Sequence, residues 1–133
     1  MIVADTNLIV YLFITGDQTH LAQMVLDKDP HWIVPPLWQS EFRNVLAAYI
    51  RRGMALEQAK KIFQGAKQML ENRQVIPSND EVFILLSESS CTAYDCEFVA
   101  LARQLNIKLV TADKQLWTQF PDWAISLDGF TAQ

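Results

Sequence analysis

The chain has 133 residues, half of them hydrophobic, with 15 acidic and 11 basic side chains and a formal net charge of −4. That is the size of one globular domain with a real core, and no Pro/Gly-rich linker divides it, so residues 1–133 read as a single domain. The longest apolar run, residues 8–14, is far too short for the ~20 residues of a membrane span, and no basic, cleavable leader pattern opens the chain. Cys91 and Cys96 have neither a second Cys pair nor a nearby His to complete a zinc site, so two reduced, packed thiols in a cytoplasmic protein are expected.

Ile2-Val3-Ala4 is long enough only for a short buried strand, and Asp5 follows it without a turn residue. Helical apolar spacing in Leu8, Ile9, Leu12 and Phe13 makes strand, acid, helix the opening unit of an α/β fold. Open parallel sheets carry their ligand crevice outside the carboxyl ends of the strands, where Asp5 falls. The plainer use of the same residue is to cap the helix.

Gly16-Asp17 breaks the pattern before a second amphipathic segment at residues 19–26, which Pro30 closes. Residues 32–34 read as a strand stopped by Pro35-Pro36, a pair tolerated at a helix entrance because the first N–H groups lack intrahelical partners. A helix is expected over residues 37–52, with Gly53 as its stop, and another over 56–73 with Gly65 inside it. Residues 75–76 suggest a small edge segment before Pro77. Ser78 and Glu81 have the spacing of a capping box for a helix through residue 86. Thr92 to Asp95 marks another helix start, running to residue 105 and ended by Asn106. Residues 108–111 then form a strand, Asp113 follows it, residues 114–120 make a last helix, and 123–125 an edge strand. Short strands alternating with helices argue for a three-layer α/β/α sandwich with a central parallel sheet.

Two further acids face the wrong way for a surface role. At about 100° per residue, Leu37, Trp38, Val45, Ala48 and Tyr49 fall within roughly 80° of Glu41, and the polar Ser40, Arg43, Asn44 and Arg51 are assigned to other faces. Val99, Phe98 and Ala102 lie within about 60° of Asp95, whereas Glu97 is turned about 200° away, toward solvent or an outer shell. Such acids pair with Arg or Lys, cap their own helices, or gather at a site. Asp5 and Asp113 follow strands, and Glu41 and Asp95 occupy inward faces near helix starts, so a parallel sheet brings all four to one edge. Carboxylates about 5 Å apart repel by roughly 3 kcal/mol per pair at an effective dielectric near 20, which requires a cation. Oxygen ligands without His or Cys select Mg²⁺ or Mn²⁺. Setting the four acids aside leaves 11 acidic against 11 basic residues. Within that remainder, residues 42–74 carry Arg43, Arg51, Arg52, Lys60, Lys61, Lys67 and Arg73 against only Glu57 and Glu71, either a solvated face or one suited to phosphates.

The ordered motifs Ile2-Val3-Ala4-Asp5-Thr6-Asn7, Pro36-Leu37-Trp38-Gln39-Ser40-Glu41-Phe42, Thr92-Ala93-Tyr94-Asp95-Cys96-Glu97-Phe98-Val99-Ala100-Leu101-Ala102 and Leu109-Val110-Thr111-Ala112-Asp113 span nearly the whole chain. In order and spacing they resemble the PIN-domain ribonucleases, particularly the VapC-type toxins of type II toxin–antitoxin modules. The resemblance implies an α/β/α sandwich and Mg²⁺- or Mn²⁺-dependent endoribonuclease activity on RNA. It also implies a homodimer and a small cognate antitoxin partner. It maps the family's acids onto Asp5, Glu41, Asp95 and Asp113, and its small polar residues near the metal onto Thr6, Asn7 and Thr111. Arg43, Arg51 and Arg52 become candidates for steering the RNA backbone.

Two other readings stay open. A phosphotransferase would form an aspartyl-phosphate on Asp5. A non-catalytic module would use an acidic pocket to bind a basic partner peptide, with the apolar stripes of residues 37–52 and 56–73 as a docking or dimer surface. His20 and His31 lack a Ser or Cys signature around them, and no Gly-rich phosphate loop is present.

Overall fold

The computed structural model describes residues 1–133. In chain order its elements are β1 (Ile2–Ala4), α1 (Thr6–Phe13), α2 (Thr19–Lys28), β2 (Trp32–Ile33), α3 (Trp38–Arg51) and α4 (Leu56–Leu70). There follow α5 (Asn79–Glu88), α6 (Ala93–Leu105), β3 (Leu109–Val110), α7 (Lys114–Gln119), β4 (Ala124–Ile125) and α8 (Leu127–Thr131).

The four strands form one parallel sheet in the order β2-β1-β3-β4, with Ile2 opposite Trp32, Val3 opposite Leu109 and Leu109 opposite Ala124. Side chains of a strand alternate between faces, and β1 shows it: Ile2 and Ala4 pack into one core and Val3 into the other. The first core is closed by Leu8, Val25, Trp38, Leu70 and Phe130 from α1, α2, α3, α4 and α8. The second is closed by Leu85, Phe98, Leu101 and Leu116 from α5, α6 and α7. The result is the expected three-layer α/β/α sandwich. No helix is long and apolar enough to cross a membrane.

Strand order reverses at β1 and β3, because β2 lies on one side of β1 and β3 on the other. This is the switch point where open parallel sheets leave a crevice at their carboxyl edge, here beside Asp5 and Thr111. One wall of that crevice is α3. Trp38 stacks on Phe63 of α4 at 5.7 Å and 16° and meets Phe42 edge-on at 5.9 Å. Such pairs add about 0.5–1.5 kcal/mol each beyond burial and hold the first turn of α3, which carries Glu41, against α4.

Several boundaries differ from the sequence reading. Helix α4 ends at Leu70 instead of residue 73, because the chain turns there: Arg73 N–H donates to the Leu70 carbonyl, which frees the Arg73 carbonyl to accept from Val34 N–H at 3.1 Å. Residues 75–76 form no strand, and the contact is a lone parallel bridge between Val34 and Gln74. Helix α1 starts at Thr6, directly after its Asp5 cap, α2 and α5 run two residues further than expected, and α8 has no counterpart among the expected elements.

Candidate functional site

Asp5 is both a cap and a cavity wall. Its Oδ1 accepts from Thr6 N–H at 2.8 Å and so caps α1; its Oδ2 accepts from the Thr111 hydroxyl at 2.6 Å and from Asn7 Nδ2 at 3.3 Å. Thr111 Oγ1 in turn accepts from Asp113 N–H at 3.0 Å, and Asn7 Oδ1 accepts from Ala112 N–H at 3.0 Å. These bonds tie the end of β1, the first turn of α1 and the loop after β3 into one unit. Thr6 Oγ1 donates to Glu41 Oε1 at 2.7 Å and adds α3 to it. Asp113 caps α7 by accepting from Gln115 N–H at 2.9 Å. Asp95 sits in the first turn of α6, its N–H held by the Thr92 cap at 3.1 Å.

All four acids line one cavity of about 360 Å³, together with Thr6 and Asn7. Thr111 stands behind it, fully buried. The four carboxylates singled out from the sequence therefore lie around one cavity. The alternative in which each is neutralised by its own cation does not hold, because the ion pairs of the molecule lie at Asp29, Glu57, Glu81 and Glu88.

The electrostatic consequence is visible in the carboxyl groups themselves. Asp5, 7 % exposed, has its pKa pushed up to about 7, first by burial and then by the charges of Glu41 and Asp95, against the pull of its Thr111 and Thr6 hydrogen bonds. Burial also raises Glu41 and Asp95. The Thr6 hydroxyl opposes the rise in Glu41 and the Thr92 hydroxyl opposes it in Asp95, while Asp95 adds to the rise in Glu41 and Asp113 to that in Asp95. A set of acceptors that disfavour one another's charge is an anion-rich hole wanting a cation.

No three of these acids are drawn to the spacing of a preformed ligand cage. Mg²⁺ dehydrates reluctantly and is commonly held through one or two carboxylates plus water, so an open wall of carboxylates without His or Cys ligands fits Mg²⁺ or Mn²⁺ and not Zn²⁺. Cys91 and Cys96 are buried, and burial pushes both thiols up, so they are packing residues.

One placement corrects the sequence reading and another narrows it. Asn44, assigned to another face in the sequence reading, is turned only about 60° from Glu41 at 100° per residue and lines the same cavity beside Val45. Residues three apart on a helix are neighbours, so spacing from Glu41 is the signal that finds it. Glu97 is half-buried, which selects the outer-shell position of the two expected for it; burial raises its pKa and the charge of Glu41 adds to the rise. Val10 and Tyr11, also in the wall, carry no sequence signal beyond that of an apolar helix face, although Tyr11 lies one helical turn beyond Asn7.

The structure does not bring the arginines into the cavity. Arg43 lies over the Phe63 ring at 5.6 Å and donates to Ser40 Oγ at 3.2 Å, on the groove between α3 and α4. Arg51 and Arg52 are exposed at the far end of α3, about 15 Å from Glu41 at 1.5 Å per residue.

Comparison with known proteins gives a consistent set of likenesses. The PIN domain family model matches residues 2–120. Ribonuclease VapC3 of Pyrobaculum aerophilum is 26% identical over 124 residues, covering 90% of this chain and 95% of the relative. The crystal structure of PAE2754 from Pyrobaculum aerophilum superposes with a TM-score of 0.74 over 99% of this chain and 96% of that one, at 20% identity, a likeness of fold.

Proposed function

The chain belongs to the PIN-domain family, and from that premise we propose that it is a divalent-metal-dependent endoribonuclease, the toxin of a type II toxin–antitoxin pair, with residues 1–133 as its nuclease domain. The observation that carries the reading is the cavity in which Asp5, Glu41, Asp95 and Asp113 meet without a neutralising side chain. The likeness to a protein named as a ribonuclease supports RNA as the substrate, and the resemblance to VapC-type toxins implies a cognate antitoxin as the partner.

Asp5, Asp95 and Asp113 are the residues to hold Mg²⁺ or Mn²⁺, with Glu41 completing the set directly or through water. An ion there would supply Lewis acidity and offset the charge gathering on the phosphate during displacement. The chain's own groups do the positioning. Thr111, Asn7 and Thr6 N–H fix the rotamer of Asp5, so its carboxylate would hold a cation without reorganising. Glu41, half-buried and anchored by Thr6, orients the attacking water. Outside the cavity, Arg43, Arg51 and Arg52 lie along α3 as contacts for the RNA backbone. A homodimer in the cytoplasm completes the proposal.

Cleavage of an RNA panel tests it. Cuts that require Mg²⁺ or Mn²⁺ and vanish with EDTA support the nuclease. Tight binding of a basic peptide with no cleavage would instead make the cavity a docking pocket, and a trapped aspartyl-phosphate on Asp5 would make the protein a phosphotransferase.

A further inference from the structure

A second cavity of about 220 Å³ lies next to the acidic one, and the two share a wall. Tyr11 lines both. The loop after β3 divides them, with Asp113 on the acidic side and Ala112 on the other. That partition is fixed, because Ala112 N–H is held by Asn7 and the Tyr11 carbonyl accepts from the Thr19 hydroxyl at 2.7 Å at the start of α2.

The lining of the second cavity differs in kind from that of the first. Trp117 and Tyr11 offer aromatic surface, and Gln18, Ser126 and Asp128 offer hydrogen-bonding groups. Gln18 caps no helix with its side chain, and Ser126 uses its oxygen as an acceptor from Gly129 N–H at 2.9 Å, leaving its hydroxyl proton to donate. No lysine or arginine lines the cavity, so it is not built for a phosphate. Rings to stack on, with both donors and acceptors at the rim, are the chemistry that recognises an unstacked nucleobase by its face and edge.

We propose that this cavity receives one unpaired nucleobase of the RNA, next to the phosphate held at the acidic cavity, with Tyr11 as the stacking wall between base and cleavage site. The inference rests on the nuclease reading for the neighbouring phosphate, but its own observation is the shared wall. Tyr11 is then a positioning residue, setting which nucleotide lies beside the cut.

The test uses short single-stranded RNAs, each with one abasic residue at a different position. Binding to the wild-type protein is measured in EDTA and cleavage in Mg²⁺. Stacking of a base on an aromatic side chain is worth about 1–3 kcal/mol, so one abasic position is expected to weaken binding about tenfold and to raise KM more than it lowers kcat. Tyr11→Leu should bind intact and abasic RNA alike, and Tyr11→Phe should restore the difference. Gln18→Ala, on the exposed rim, should shrink the penalty and serves if Tyr11→Leu does not fold. An absence of any sensitive position, or a full penalty retained in Tyr11→Leu or Gln18→Ala, overturns the proposal. EDTA-sensitive cleavage without base sensitivity removes this inference and leaves the nuclease; a Tyr11-dependent penalty in binding with no cleavage leaves the base pocket and removes the nuclease.

Discussion

The two ends of strand β1 treat a carboxylate in opposite ways. At the amino end, burial pushes Asp29 up, but hydrogen bonds from the terminal ammonium and from His31 N–H, with the charges of both partners, bring it below its ordinary range. At the carboxyl end, three residues of strand away, Asp5 has hydrogen bonds but no cation, and its carboxyl rises to about 7. The first acid is part of how the sheet edge is held. The second has no ion-pair partner within the chain. A fold that keeps Asp5, Glu41 and Asp95 in this second state gives up stability in its metal-free form, and such concessions collect where chemistry is done.

Substitutions at the carboxyl end should break that comparison most strongly. Asp5→Asn or Asp95→Asn is expected to lower RNA cleavage in Mg²⁺ by at least about 10²–10³-fold, the scale of losing a principal electrostatic group, while circular dichroism shows the fold intact. Wild-type rates from a folded Asp5→Asn protein would remove Asp5 from the site. Thr111→Val and Thr6→Val, which remove the groups orienting Asp5 and Glu41, should cost about 10–100-fold in activity or metal affinity, read by titration with Mn²⁺.

Acid–base behaviour sharpens the comparison. Between its ordinary value of 3.8 and about 7, folded Asp5 keeps a proton that the unfolded chain has released, so Asp5 makes metal-free stability fall as pH rises through that window and level off above it. Asp29, with its pKa lowered, does the reverse: its contribution is present above 3.8 and lost as pH falls through its folded value. Denaturation curves from pH 3 to 8 for wild type, Asp5→Asn and Asp29→Asn should separate the two slopes. Saturating Mg²⁺ should raise stability most at the alkaline end, by about 2.7 kcal/mol at a hundred times its Kd. A metal effect independent of pH would contradict the account of Asp5.

The smallest effect is expected on the basic face. Arg51→Gln with Arg52→Gln should leave kcat unchanged and reduce the slope of log affinity against log salt by about 0.7 for each phosphate that these side chains neutralise on single-stranded RNA. An unchanged slope would confine α3's arginines to the protein surface.

Much of this is readable in the residues. Asp5 and Asp113 follow from strands that run directly into helix starts, and Glu41 and Asp95 from acids sharing a face with buried apolar side chains. What is not readable depends on tertiary contacts. Helix α8 is five residues long with a glycine inside it, and it exists because Leu127 and Phe130 pack into the first core and Lys28 lies over the Phe130 ring at 4.8 Å. The end of α4 is set by bonding between Arg73 and Val34, far apart in sequence. Asn44, about 60° from Glu41 on the wheel, is legible there once the cavity is known to open along the edge of the apolar face, where polar residues also reach. The charge of Glu41, by contrast, acts on Glu97 from another helix, which no wheel of α6 contains. Tyr11 reads as core on its own helix and becomes a cavity wall only once the loop after β3 is set beside it.

The most direct measurement is a crystal of this protein soaked in Mn²⁺ and measured for anomalous scattering. The account predicts a peak inside the acidic cavity, with carboxylate oxygens of Asp5 and at least one of Glu41, Asp95 and Asp113 at coordination distance. A cavity with no peak at a Mn²⁺ concentration that supports RNA cleavage, or acids turned away to separate lysines and arginines, would contradict it.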